Sequence, residues 1–185
     1  MFSQLIQAIK EFGDFSQEDQ SFITRSVSVH TFKKGEFLLK KGETSQSLYF
    51  VNVGSLRHFK DIDGYSELTL NLILESDWVF DHHSFIGQKP SENYIQVFED
   101  STLLELTLDS LHALIKKSPS FFRLGKILEN AETPNNVGIK THEEKYLMLM
   151  EHTPKVIQRF PLKHIASFLG MTPETLSRVR ARIKS

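Results

Sequence analysis

LKHIASFLGMTPETLSRVRAR, residues 162–182, is the stretch on which the reading of the whole chain turns. With Leu162 counted as position one, apolar side chains fall at positions four, eight, ten, fifteen and eighteen, namely Ile165, Leu169, Met171, Leu176 and Val179. Two short helices sharing a small core require that spacing. Ala166 is small enough to let the second helix approach the first, and Gly170 suits a turn that needs a positive φ. The second helix carries its own start signal: Thr172 to cap free N–H groups, Pro173 where no N–H is needed, then Glu174 and Thr175 in the first turn. The pattern is a helix-turn-helix.

At ~100° per residue, Leu176, Val179 and Ile183 form an inward stripe while Glu174, Ser177, Arg178 and Ala181 point outward. An outward arginine can donate two hydrogen bonds to a guanine edge, a glutamate can accept from cytosine, and a small side chain permits close approach to DNA. Thr172, Pro173, Glu174, Ser177, Arg178 and Arg182 are therefore the expected DNA-contacting residues. Arg178 and Glu174 would read bases, Arg182 and Lys184 would meet phosphates, and Arg180 projects nearer the core edge. Charge supports this division, since residues 155–185 carry +6 and the rest of the chain −7. A basic tail on an acidic body suits a phosphate-facing module; an ordinary helical hairpin with a solvated charged face would not need the asymmetry.

A chain of 185 residues with 39% hydrophobic and 24% charged side chains can bury a substantial core. It has no run of eighteen apolar residues, and its opening MFSQLIQAIKEFGDF lacks a signal-peptide cleavage pattern, so a cytoplasmic protein without a membrane partner is expected. The absence of cysteine excludes disulfides, thiolate-held iron–sulfur clusters and cysteine-bound zinc.

An amphipathic opening helix presents Leu5, Ile6, Ile9 and Phe12 on one face. Glycines at 35, 42, 54 and 64 then punctuate β-rich runs. His30 to Phe32, Phe37 to Leu39, Ser47 to Val53, Leu56 to Lys60, Glu67 to Leu74, Tyr94 to Phe98 and Thr102 to Leu106 are the strand candidates, which points to a sandwich or barrel. After Leu108, Asp109 can cap a helix through Lys117, and Pro119 opens another on which Phe121, Leu124, Ile127, Leu128 and Ala131 share a face. That stripe either meets a second copy or packs on the chain's own barrel; a homodimer through it matches palindromic DNA sites. Pro134, the asparagine pair 135–136 and Gly138 interrupt the helix before it resumes from Thr141 to His152. The expected division is a β-roll over 1–118, a connecting and dimerising helix over 119–140, and a DNA-binding unit over 141–185.

This order of parts resembles the Crp/Fnr transcription regulators. KKGEFLLKKGE (33–43) looks like their early strands, SLYFVNVGSLRHF (47–59) like the strand pair around the family's glycine, and HIASFLGMTPETLSRVR (164–180) like their DNA-reading unit. EEKYLMLMEHTP followed by FPLKHIASFLG is similar to the branch of such regulators found in Bacteroidetes. The resemblance implies an α+β fold, an antiparallel jelly-roll sensor of the cyclic-nucleotide-binding type with flanking helices, followed by a small helical domain. It implies double-stranded DNA, a second copy and RNA polymerase as partners, and no catalysis.

Departures from that pattern shape the ligand expectation. Members that bind cyclic AMP use a Gly-Glu step for the ribose and an Arg-Ser step for the phosphate, whereas WVFDHHSFIGQKPSENYIQVFED (78–100) contains no arginine. Asp81 stands near the glutamate position, and Ser91, Glu92 and Asn93 occupy the arginine's place; these four are the expected pocket residues. A desolvated phosphate needs a compensating cation, which Glu92 opposes and Lys89 alone would have to supply. The expectation is no cofactor, and an effector, where one exists, other than cyclic AMP. With the sequence ending at Ser185, the β-wing that often follows the recognition helix is expected to be missing, weakening DNA binding per subunit.

Two other classes are weighed against the regulator. One is a small-molecule- or protein-binding β-roll with a vestigial DNA-binding unit. The other is a cupin-like metalloenzyme, but adjacent His82 and His83 point apart on an extended chain and His30 and His58 are isolated, so no metal ligand set is expected.

Overall fold

The computed structural model describes residues 2–132 and 141–184. Helix α1 (Ser3–Lys10) forms where Leu5, Ala8 and Ile9 recur on one face, and all three are buried. Helix α2 (Gln17–Ser26) starts at a reciprocal cap, with Ser16 Oγ accepting from the Asp19 N–H and the Asp19 carboxylate accepting from the Ser16 N–H. Strands β1 (Ser28–Phe32), β2 (Phe37–Leu39), β3 (Ser47–Asp61), β4 (Glu67–Ile73) and β5 (Trp78–Val79) follow, then a short helix α3 (His82–Gly87) and strand β6 (Asn93–Thr107). All pairings are antiparallel, in the order β1-β6-β3-β4, with β2 also on β6 and β5 also on β3. This is the jelly-roll sheet with flanking helices that the sequence implied.

The two central strands run longer than expected. β3 absorbs both Ser47 to Val53 and Leu56 to Lys60, and β6 absorbs both Tyr94 to Phe98 and Thr102 to Leu106, pairing from Ser47↔Thr107 to Lys60↔Asn93. Register shifts between Val51 and Leu56 carry the pair through a bend without ending it. Gly54 allows this: its φ is 102°, and a Cβ there would lie 2.1 Å from Ser101 Oγ and 2.8 Å from the Asp100 carbonyl oxygen. The glycine that reads as a turn in sequence is a close crossing of two strands. β5 and α3 were not anticipated; a two-residue strand and a six-residue helix carry too little periodicity to be read.

Helix α4 (Leu108–Lys117) is capped by the Thr107 hydroxyl, two positions before the expected cap Asp109. A 3₁₀ turn (Pro119–Leu124) then leads into α5 (Gly125–Glu132). Phe121, Leu124 and Ile127 are buried in the same cluster as Leu5, Ile9, Leu48, Phe50 and Leu104, with Leu128 half-buried against it. A second cluster fills the roll interior, around Val51, Leu56, Ile73, Ile95 and Leu103.

The carboxy-terminal helices are α6 (His142–His152), α7 (Pro154–Arg159), α8 (Leu162–Leu169) and α9 (Pro173–Lys184). α6 opens with a second capping box between Thr141 and Glu144; α7, which begins at Pro154, is not among the elements expected from the sequence. Tyr146, Leu149, Val156 and Phe160 join Ile165, Ala166, Leu169, Leu176 and Val179 in a third cluster. Leu72 and Leu74 of the roll belong to it too, so the helical unit is seated on β4. No helix among the described residues is long and apolar enough to cross a membrane.

Candidate nucleic-acid interface and sensor site

The α8–α9 pair has the geometry its spacing required. Ile165, Leu169, Leu176 and Val179 are buried, Met171 is half-buried against them, and Ala166 is fully enclosed where the helices approach. Gly170 adopts φ 71° and closes α8, and the Met171 N–H reaches back to the Ala166 carbonyl at 2.9 Å. Thr172 Oγ1 then accepts from the Thr175 N–H at 3.2 Å and opens α9. Thr172, Pro173, Glu174, Ser177, Arg178 and Arg182 are all exposed, while Arg180 is half-buried at the edge of the core. The Glu174 carboxyl is held below its ordinary value by its own backbone N–H and by the Thr172 hydroxyl, with the Arg178 charge one turn on adding to it.

The basic tail is not uniformly available. Arg159 turns toward the roll, where Nη1 meets Glu75 at 2.6 Å and Nη2 meets Glu99. Those two hydrogen bonds raise the Arg159 pKa further. Glu99 is lowered chiefly by Arg159; in Glu75 burial opposes the charge most, but Arg159 together with the Glu75 and Gly54 backbone N–H groups outweighs it. Ser167 of α8 adds a second attachment, accepting from the Thr69 N–H at 2.9 Å and donating to the Glu67 carbonyl at 3.2 Å. Sequence reading missed these contacts because the paired residues lie 60 to 100 positions apart.

In the roll, three of the four expected pocket residues come together. Asp81, 2% exposed, accepts from the Ser84 N–H at 2.8 Å and from Asn93 Nδ2 at 2.6 Å. His58 Nε2 lies 3.3 Å from the same carboxylate, close enough for charge attraction but not aligned as a hydrogen bond. Burial disfavours the charged form, but His58, Asn93 and Ser84 outweigh it and hold the Asp81 carboxyl well below the usual range. Ser91 Oγ accepts from the Asn93 N–H, and the Ser91 backbone is tied to Gly42 and Glu43. Glu92 is turned out to Lys60 at 2.5 Å, and Lys89 is exposed. The Asp81 carboxylate is thus already engaged by Ser84 and Asn93.

The dimer expectation needs correction at its residues. Phe121, Leu124 and Ile127 face the chain's own core, with Leu128 beside them, so this stripe does not offer an apolar face to a partner. Phe121, Leu124 and Ile127 thereby tie the segment after Ser118 to the core of the roll. The Ala131 side chain lies outside the described residues. The periodicity correctly marked a buried face without saying which surface buried it. Among the described residues no group of three His, Asp or Glu side chains is placed to hold a metal.

Residues 29–118 match the family model of the cyclic nucleotide-binding domain. No curated protein matches the sequence. Among solved structures the chain is similar to the catabolite activator protein of Thermus thermophilus, with 21% identity and a TM-score of 0.59 over 96% of this chain and 86% of that one. It is similar to FixK2 of Bradyrhizobium japonicum at 18% identity and TM-score 0.68, covering 85% and 84%. A CooA mutant of Carboxydothermus hydrogenoformans matches at 19% identity and TM-score 0.63, covering 88% and 78%. The roll, its flanking helices and the helical carboxy-terminal region together have the cyclic-nucleotide-binding-type jelly-roll fold found in these proteins.

Proposed function

We propose that this chain is a non-enzymatic transcription regulator of the Crp/Fnr type that binds double-stranded DNA through α9 and whose roll does not take cyclic AMP. The observation that carries the reading is the outer face of α9. Thr172, Pro173, Glu174, Ser177, Arg178 and Arg182 are exposed together on a helix whose opposite face, Leu176 and Val179, is anchored in a core. A helix presented this way fits a major groove about 12 Å wide. The resemblance of residues 143–154 and 160–170 to the Bacteroidetes branch is in keeping with the same reading.

Two copies are needed to place two recognition helices on half-sites about one DNA turn apart, so a homodimer forms through a surface other than Phe121, Leu124 and Ile127. The sensor reading rests on Asp81, which is committed to Ser84, Asn93 and His58, and on the absence of an arginine between Trp78 and Asp100. Selection of bound fragments from genomic DNA, followed by salt titration on the enriched duplex, tests the function. The expected result is one enriched palindrome and a negative slope of log affinity against log salt. Failure to bind any duplex at low salt would leave the roll as a ligand- or partner-binding module.

A further inference from the structure

A cleft of about 560 Å³ lies where the roll meets α8, outside the Asp81 site. Its floor is aromatic. Phe59 and Tyr94 stack with ring centres 5.2 Å apart and planes at 12°, and Phe37 meets Tyr94 edge-on at 6.0 Å. The Arg57 guanidinium sits 4.4 Å over the Phe59 ring and is almost wholly buried. Its Nε donates to Thr69 at 3.0 Å and its Nη1 to Glu67 at 2.5 Å, while Nη2 has no partner among the described residues. Lys163 and His164 of α8 form the facing wall.

We propose that this cleft binds an aromatic carboxylate. Stacked rings beside a cation favour a planar apolar body carrying a negative group. Sites for small organic ligands run from about 300 to 1,000 Å³, and the cleft falls within that range. Arg57 can take a second carboxylate oxygen through Nη2, and Lys163 supplies the other positive charge; charge-assisted bonds of this kind are the strong ones. Asp61 and Glu67 also line the cleft and oppose a multiply charged phosphate, which selects a monoanion. Glu67 is half-exposed where Arg57 is buried, so an incoming carboxylate can replace Glu67 at the guanidinium while Glu67 returns to water.

That exchange would act on the helical unit directly, because the Glu67 carbonyl and the Thr69 N–H both bond to Ser167 of α8. A ligand that favours one arrangement of this strand biases how α8 is held. This consequence rests on the regulator reading; the binding itself does not.

The test is calorimetric titration of the full chain with indole-3-acetate, alongside neutral indole, cyclohexanecarboxylate and cyclic AMP. Indole-3-acetate is expected to bind below about 1 mM, with the neutral and non-aromatic probes about tenfold weaker or worse. Lys163→Ala and Tyr94→Leu should each weaken it about tenfold, with folding checked by circular dichroism. No heat from indole-3-acetate, equal affinity for the neutral or non-aromatic probe, binding unchanged in both variants, or cyclic AMP as the tighter ligand would each overturn the assignment. Repeating the duplex titration with and without indole-3-acetate separates the two claims: ligand binding without DNA binding defeats the regulator, and DNA binding without ligand binding defeats the cleft.

Discussion

The Asp81 cluster in the roll and the outer face of α9 are both polar, yet they are built in opposite ways. Around Asp81 polar groups are paired within the protein: the carboxylate accepts from Ser84 and Asn93, with His58 Nε2 3.3 Å away, and Ser91 accepts from Asn93. On α9 the side chains of Glu174, Ser177 and Arg178 stand in solvent over a buried apolar stripe. Polar groups answered inside the chain serve the fold, whereas those held outward on a rigid base remain available to another molecule. The contrast separates side chains committed to the fold from side chains left open to solvent.

The largest effect that would break this contrast is on stability. Asp81→Ala strands the Ser84 N–H and Asn93 amide in a buried site and should cost about 3 kcal/mol, read from chemical denaturation. A variant as stable as wild type would show Asp81 to be held ready for a ligand. The companion measurement is calorimetry with cyclic AMP and cyclic GMP, where no binding tighter than about 1 mM is expected because the phosphate lacks its charged partner.

On the opposite side of the comparison, Arg178→Ala should cost about 1 to 3 kcal/mol on the preferred duplex, relax preference at one base pair, and leave folding stability within about 0.5 kcal/mol. Arg182→Ala should weaken preferred and scrambled duplexes alike and flatten the salt dependence. If Arg178→Ala lowers both duplexes equally, the base-reading face lies elsewhere on α9.

The smallest effect sharpens the boundary between the two regions. His164 is buried against Phe98 and near Arg57, and burial first, then the Arg57 and Lys163 charges, push its pKa down to about 4. The unfolded chain takes up that proton at about pH 6.5, so this contribution is complete above pH 6.5 and falls away as the pH drops toward 4. The expected loss is on the order of 1 kcal/mol after allowing for residual solvation, and His164→Phe should flatten it. Glu75 and Glu99, whose pKa values are lowered, lose their contribution only at more acid pH, as their paired carboxyls protonate. A pH profile unchanged in His164→Phe would show that the junction is open to water.

The α8–α9 helix pair was legible because its determinants lie within about twenty residues and its period is local. The strands were legible one by one, but not their fusion into β3 and β6, since the bend at Gly54 is set by Ser101 and Asp100 of a strand far along the chain. The stripe from Phe121 to Leu128 shows the same limit, as an amphipathic period reveals that a face is covered and not what covers it. Asp81, Ser91 and Asn93 lie together, but their hydrogen bonds depend on side-chain directions that sequence spacing does not supply. Arg159, counted among the tail's positive charges, spends its charge on two roll carboxylates that no local pattern connects to it.

Ser167 has one further consequence. β4 is the outermost strand of the sheet path, and an outer strand with open N–H and C=O groups is a template for pairing with another chain. Ser167 occupies the Thr69 N–H and the Glu67 C=O there, so α8 plugs the sheet margin as a neighbouring strand would. Swinging the helical unit away from the roll would bare that margin together with Leu72 and Leu74. Release of the α8–α9 unit and the hazard of self-association through β4 are therefore the same movement, and a chain that undocks must cover this strand with something else or aggregate.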